Sequence, residues 1–278
     1  MKKITLLLSL AVLTTILVFT SCEKNDKDTP PVTTEKSAQD QAIADAYWSS
    51  IDNDVDFATN QMEVTNFKSV IDTCPMIIVE HPDSIFWPRT VTIDYGDDYC
   101  ETHNGQQRKG RIIITVSNFL AFEGSTRTVA FENFYINEHH VEGLKTLTNM
   151  GINDSGNMNF DASLTNGSIT FPDGGIATRE VNHNREWTEG LETIAYWWDN
   201  EWLIRGTTSG TNRDGGSYNN LITTAVLVKS ICHFPVSGII DINITDLGTL
   251  VLDYGDGSCD NIATVTFGDQ VWEIELGH

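Results

Sequence analysis

Three patterns of apolar and polar positions follow one another along this chain. Ile4 to Phe19 is an uncharged apolar run, bounded by Met1-Lys2-Lys3 before it and Thr20-Ser21-Cys22 after it. It is too short for a comfortable membrane span. From Ala38 to about Met62, the residues Ile43, Tyr47, Ile51, Val55 and Ala58 recur at three- or four-residue spacing, which predicts one amphipathic helix. Beyond Cys74 the period changes to two. Short segments rich in Val, Ile, Thr and aromatics alternate with Asn-Gly, Asp-Gly and Gly-Gly, and about fourteen of them read as strands. Sequential strands with tight connections pair antiparallel, because a parallel pair needs a long crossover. The fold class expected is therefore all-β: a large antiparallel meander of one or two twisted sheets, with the helix over one face or an end.

These patterns divide the chain into a signal peptide (1–21), a tether (22–37), a helical segment packing on the sheet (38–73) and a β domain (74–278). The first segment has the charged start, apolar centre and small residues of a secretory signal, and Cys22 stands where the lipoprotein pathway cuts and acylates with chains such as palmitate. One acyl chain binds a membrane marginally, while several on one cysteine anchor stably. Position −3 is Phe19, where such signals usually carry Leu. The transmembrane-barrel alternative is disfavoured, since the strands lack a consistently apolar face toward lipid.

A repeat runs through the β domain. Thr90-Val91-Thr92-Ile93-Asp94-Tyr95-Gly96-Asp97-Asp98-Tyr99-Cys100 aligns without a gap on Thr249-Leu250-Val251-Leu252-Asp253-Tyr254-Gly255-Asp256-Gly257-Ser258-Cys259. Each copy has a cysteine upstream, Cys74 or Cys232, and the midpoint of each pair falls in a turn sequence. Hairpins folded there, at 74–100 and 232–259, bring Cys74 to Cys100 and Cys232 to Cys259. Four cysteines allow three pairings, so a cross-repeat pairing and free thiols stay open as alternatives. An exported compartment permits disulfides.

Charge narrows the partners. The formal net charge is −22 and becomes −24 once Lys2 and Lys3 leave with the signal. That sign opposes binding to a phosphate backbone, so nucleic acid is not expected as a partner. The partners expected are the membrane, through the lipid, and a glycan or an envelope protein.

Recognised catalytic motifs are missing: no His-Glu-x-x-His, Gly-x-Ser-x-Gly or phosphate-binding glycine loop occurs. No cofactor and no metal are expected. Asp52-Asn53-Asp54-Val55-Asp56, with Asn60 and Glu63, approaches a calcium loop but carries Phe57 where the turn needs Gly, so it reads as an acidic helix face. The acids around Tyr95 and Tyr254 read as turn residues.

Two features could bind a ligand. Strand 176–187 carries Arg179, Val181, His183, Arg185 and Trp187 on one face and polar residues on the other. Either one face lines a wet groove, or the strand projects into solvent with cross-strand ion pairs. Tyr196-Trp197-Trp198-Asp199-Asn200-Glu201-Trp202, beside Trp187, has the aromatics and amides of a sugar-binding surface, or else packs across strands. The reading is a non-catalytic binding or scaffolding domain at the outer membrane. Alternatives are a carbohydrate-binding adhesin using the Trp cluster, and a hydrolase using paired carboxylates such as Glu180 and Glu186, 5 to 10 Å apart across a cleft.

The stretches Phe86 to Gly96, Arg108 to Ile112, Val141 to Asn149 and Leu252 to Asn261 are similar to those of a family of uncharacterised Bacteroidota outer-membrane and cell-surface lipoproteins. The resemblance covers nearly the whole mature domain. It implies an origin and a compartment, and the charged residues after Cys22 look like that group's signal for export to the outer face. It brings no catalytic residues with it.

Overall fold

The computed structural model describes residues 32–64, 74–80, 86–102, 105–193 and 196–276. Cys22, the signal and residues 65–73 lie outside them. The described residues open with one long helix, α1 (Val32–Val64), followed by β1 (Met76–Glu80), β2 (Arg89–Asp94), β3 (Cys100–Glu101), β4 (Gln107–Val116), β5 (Thr126–Ile136), β6 (His139–Ile152) and β7 (Met158–Thr170). The second half is β8 (Ile176–Glu189), β9 (Glu201–Thr211), β10 (Ser217–Lys229), β11 (Ser237–Ile244), β12 (Gly248–Asp256), β13 (Ile262–Phe267) and β14 (Gln270–Glu275). All fourteen join one antiparallel sheet in chain order, with β3 paired only to β4. β1 and β14 each keep one unpaired edge, so the sheet is not closed into a barrel.

Three boundaries differ from the expectation. The helix starts at Val32, inside the segment read as tether. The two-residue β3 is too short to show a period. Segments 157–165 and 168–172 are one strand, β7, because Asn166-Gly167 forms a bulge rather than a turn. Asn166 takes φ +51°, and a Cβ on Gly167 would sit 2.5 Å from the Arg179 carbonyl oxygen. Only glycine lets β8 approach there.

The helix does not lie on the sheet as a lid. From Gln41 to Trp48 every residue but Asp45 is buried, so burial runs right round the helix rather than along one stripe. Side chains from β2, β4, β5, β6, β8, β10 and β12 all reach it. The sheet therefore curls about the helix as a trough about a rod. The apolar core divides accordingly. One cluster joins Tyr47, Ile51, Val55 and Met62 to strands from β1 to β7, and the other joins Ala38 and Ala42 to strands from β6 to β14. Among the described residues no helix is long and apolar enough to cross a membrane.

The repeated hairpins lie at different depths in the sheet, β1–β2 at one edge and β11–β12 inside the other, with β13 and β14 beyond it. β1–β2 is bridged by Cys74–Cys100 and β11–β12 by Cys232–Cys259, with Cα separations of 6.3 and 5.4 Å. Both local bridges therefore form. The turn carboxylates serve their own loops: Asp94 and Asp253 each accept the backbone N–H two residues on, from Gly96 and Gly255.

Candidate functional site

The acidic helix face meets a row of cations on the inner face of the sheet. Asp40 pairs with Arg213, Asp45 with Arg179, Asp52 with Lys145 and Arg185, Asp54 with Arg108, and Asp56 with Arg127 and Arg185. Asp52, Asp54 and Asp56 stay in unbroken helix and are spoken for by these partners. The repeat contributes here too. Tyr95 Oη donates to Asp54 at 2.7 Å and Tyr254 Oη donates to Asp45 at 2.6 Å. Nine residues separate those aspartates, two and a half helical turns, so the two copies grip opposite sides of the rod.

The two-sided polar strand belongs to this interior. Arg179, Val181, His183 and Arg185 of β8 face α1 and, with β9, β10 and β11, line a cavity of about 80 Å³. One part of its wall is charged: Asp45, Asp52, Lys145, Arg179 and Arg185. The other is aliphatic, with Ile204, Ile222, Val226, Val228 and Ile240. Gly206 lets β9 pass close to β8 at this level, since its φ is +129° and a Cβ would lie 2.2 Å from the Asn182 carbonyl oxygen.

Titration in the cavity follows burial and sign. Burial pushes Asp52 up, but Lys145 and Arg185 outweigh it and hold the carboxyl below its ordinary value. Burial draws Lys145 down, with Asp52 opposing. His183 is lowered to about 3, first by burial and then by Arg179 and Lys145, and its Nε2 meets Thr208 Oγ1 at 3.0 Å. It is neutral at pH 7. A folded-state pKa below the unfolded 6.5 means that stability is full above pH 6.5 and falls as pH drops toward 3, by up to about 1.4 kcal/mol per pH unit. Replacing His183 with Gln should flatten that part of the acid limb. Urea unfolding of both proteins at pH 7, 6, 5 and 4.5 measures it; equal slopes would mean that His183 takes up its proton without cost to the fold.

The Trp cluster is dispersed. Trp187 and Trp202 stack on one another at 4.9 Å, each about 2% exposed or less, with Arg185 over the Trp202 ring. They are core. The Trp197 side chain lies outside the described residues. Trp198 is 48% exposed, packs on Tyr196 and lines a cleft of about 640 Å³ along the side of the helix that the sheet leaves open. Ser50, Asn53, Asp54 and Phe57 form the floor of the cleft, and residues of both disulfides, Cys74 and Cys232, stand on its walls with Tyr95, Ile231 and His233.

The carboxylates suggested for hydrolysis are elsewhere. Glu180 accepts the Asn166 backbone N–H, and Glu186 is held by Asn157, Asn153 and Arg205 on the face of β8 turned away from α1. Those bonds hold Glu186 below the usual carboxylate range, opposite to what a general acid requires.

Sequence reasoning found Arg179, His183 and Arg185 but passed over Arg108, Arg127 and Lys145. Their signal is a cation in the apolar phase of a strand: Arg108 shares its face of β4 with Ile112, Ile114 and Val116. No family model, curated protein or solved structure matches this chain.

Proposed function

We propose that this chain is an envelope lipoprotein of the Bacteroidota type, acylated at Cys22, whose β domain is a non-catalytic binding module at the outer membrane. The cysteine count supports the anchor. Cys74, Cys100, Cys232 and Cys259 are used up in two bridges, which leaves Cys22 as the odd thiol next to a signal-like run. Replacing Cys22 with Ser should move the protein from the membrane fraction to the soluble fraction with both disulfides intact. A variant that stays with the membrane would rule the anchor out.

The observation that carries the binding role is the cleft beside α1. Its volume lies in the range of ordinary ligand sites. A half-exposed Trp198 beside Asn53, His233 and Asp54 offers a stacking face next to amide, imidazole and carboxylate groups, which favours a carbohydrate. Its position between two stapled hairpins gives it rigid walls. On a glycan array the protein should show hits that Trp198→Ala weakens at least tenfold; hits unaffected by Trp198→Ala would move the ligand away from this cleft, and an array without hits would leave a protein partner as the reading to pursue by crosslinking at Ile231.

A further inference from the structure

We propose that the cavity between α1 and β8–β11 binds a small aliphatic monocarboxylate, its head on the Arg179 guanidinium and its tail against Ile222, Val226 and Ile240. This site is separate from the cleft, which lies on the open side of the helix, and the proposal does not depend on the carbohydrate reading.

Three observations carry it. The first is unused donors. Arg179 is fully enclosed apart from 8% of its side chain, and its Nε and Nη1 have no protein partner, as is true of Arg185 Nε. Against these three donors the wall has one unpartnered acceptor, Asn220 Oδ1. Buried donors of this kind are costly unless something supplies acceptors. The carboxylates of the wall are already engaged, Asp45 by Arg179 and Tyr254, and Asp52 by Lys145 and Arg185.

The second observation is charge. Arg179 and Asp45 balance one another, while beside them the linked Arg127, Lys145 and Arg185 stand against only Asp52 and Asp56, an excess of one positive charge around the cavity. Extending that linked set through Glu63 to Arg89 adds one of each sign and leaves the excess unchanged. A buried unbalanced charge is unfavourable, and one anionic group cancels it. Nucleotides and sugar phosphates carry more charge than this and are too large.

Size and lining form the third. About 80 Å³ is several times the room that one water requires, which suits a molecule of a few heavy atoms. Water alone would leave Ile222, Val226, Val228 and Ile240 facing polar contents, whereas an alkyl tail satisfies that end and a carboxylate the other. Acetate, propionate and butyrate have this shape.

The test is titration of the intact protein, in buffer free of organic acids, with acetate, propionate, butyrate and hexanoate, followed by calorimetry. Affinity should rise about fourfold for each added methylene until the cavity is full and then fall. Arg179→Gln should weaken every acid at least tenfold. Because Arg179 also holds Asp45, that variant could unfold, so Ile222→Phe provides a second arm. It fills the aliphatic end, leaves the ion pairs untouched, and should abolish the gain from chain length while circular dichroism stays that of the parent. Chloride giving the same heat as the acids, affinity independent of chain length, or Ile222→Phe binding butyrate as the parent does would each overturn the proposal.

Discussion

Replacing Asp56 with Ala should cost the fold about 3 to 5 kcal/mol, the range seen when one partner of a buried ion pair is removed. Asp56 is 4% exposed, and its two oxygens meet Arg127 at 2.8 Å and Arg185 at 3.3 Å. Truncation leaves two guanidinium groups buried with their counter-charge reduced, and neither can lose its proton at ordinary pH. Removing the cation as well should help. Asp56→Leu combined with Arg127→Met should recover a good part of the loss, since a packed apolar pair can match a buried ionic one. Urea midpoints of the two variants and the parent decide the matter. A loss below about 1 kcal/mol for Asp56→Ala would show that water reaches these groups and that the helix is held mainly by its apolar contacts.

The two bridges should contribute alike. Their loops span 26 and 27 residues, for which the chain-entropy relation gives about 3 to 4 kcal/mol each. Cys74→Ser/Cys100→Ser and Cys232→Ser/Cys259→Ser should therefore shift the unfolding midpoint by similar amounts, although the residues around the two bridges differ. Markedly unequal losses would trace the stabilisation to native contacts rather than to the unfolded chain.

The strands and their antiparallel order were legible because period-two alternation and glycine turns are local signals. So were the bridges, through the repeated Asp-Tyr-Gly frame. What the alternation could not convey was the curl of the sheet, which arises from twist accumulated over fourteen strands and from bulges such as Asn166-Gly167. A period of 3.6 likewise identifies the apolar stripe of α1 but treats Asp40, Asp45 and Asp56 as its solvent side. In a helix lying in a trough of sheet most of that side is covered, and those acids had to find cations. Strand 176–187 posed the same difficulty: its inner arginines look like a wet groove until their partners on the helix are known. Trp187 and Trp202 were ambiguous for another reason, because composition does not distinguish a sugar platform from a cross-strand stack.

Turning basic side chains inward also changes what the outside of the molecule presents. Arg89, Arg108, Arg127, Lys145, Arg179, Arg185 and Arg213 face the helix, and Asp40, Asp45, Asp52, Asp54, Asp56 and Glu63 face them. Among the other residues with described side chains only five Lys and Arg stand against twenty-seven Asp and Glu. The sheet thus separates charge, and its exterior is close to a single-signed shell. Copies of the domain therefore repel one another over a Debye length of about 8 Å at physiological ionic strength. Raising the salt concentration should relax that repulsion.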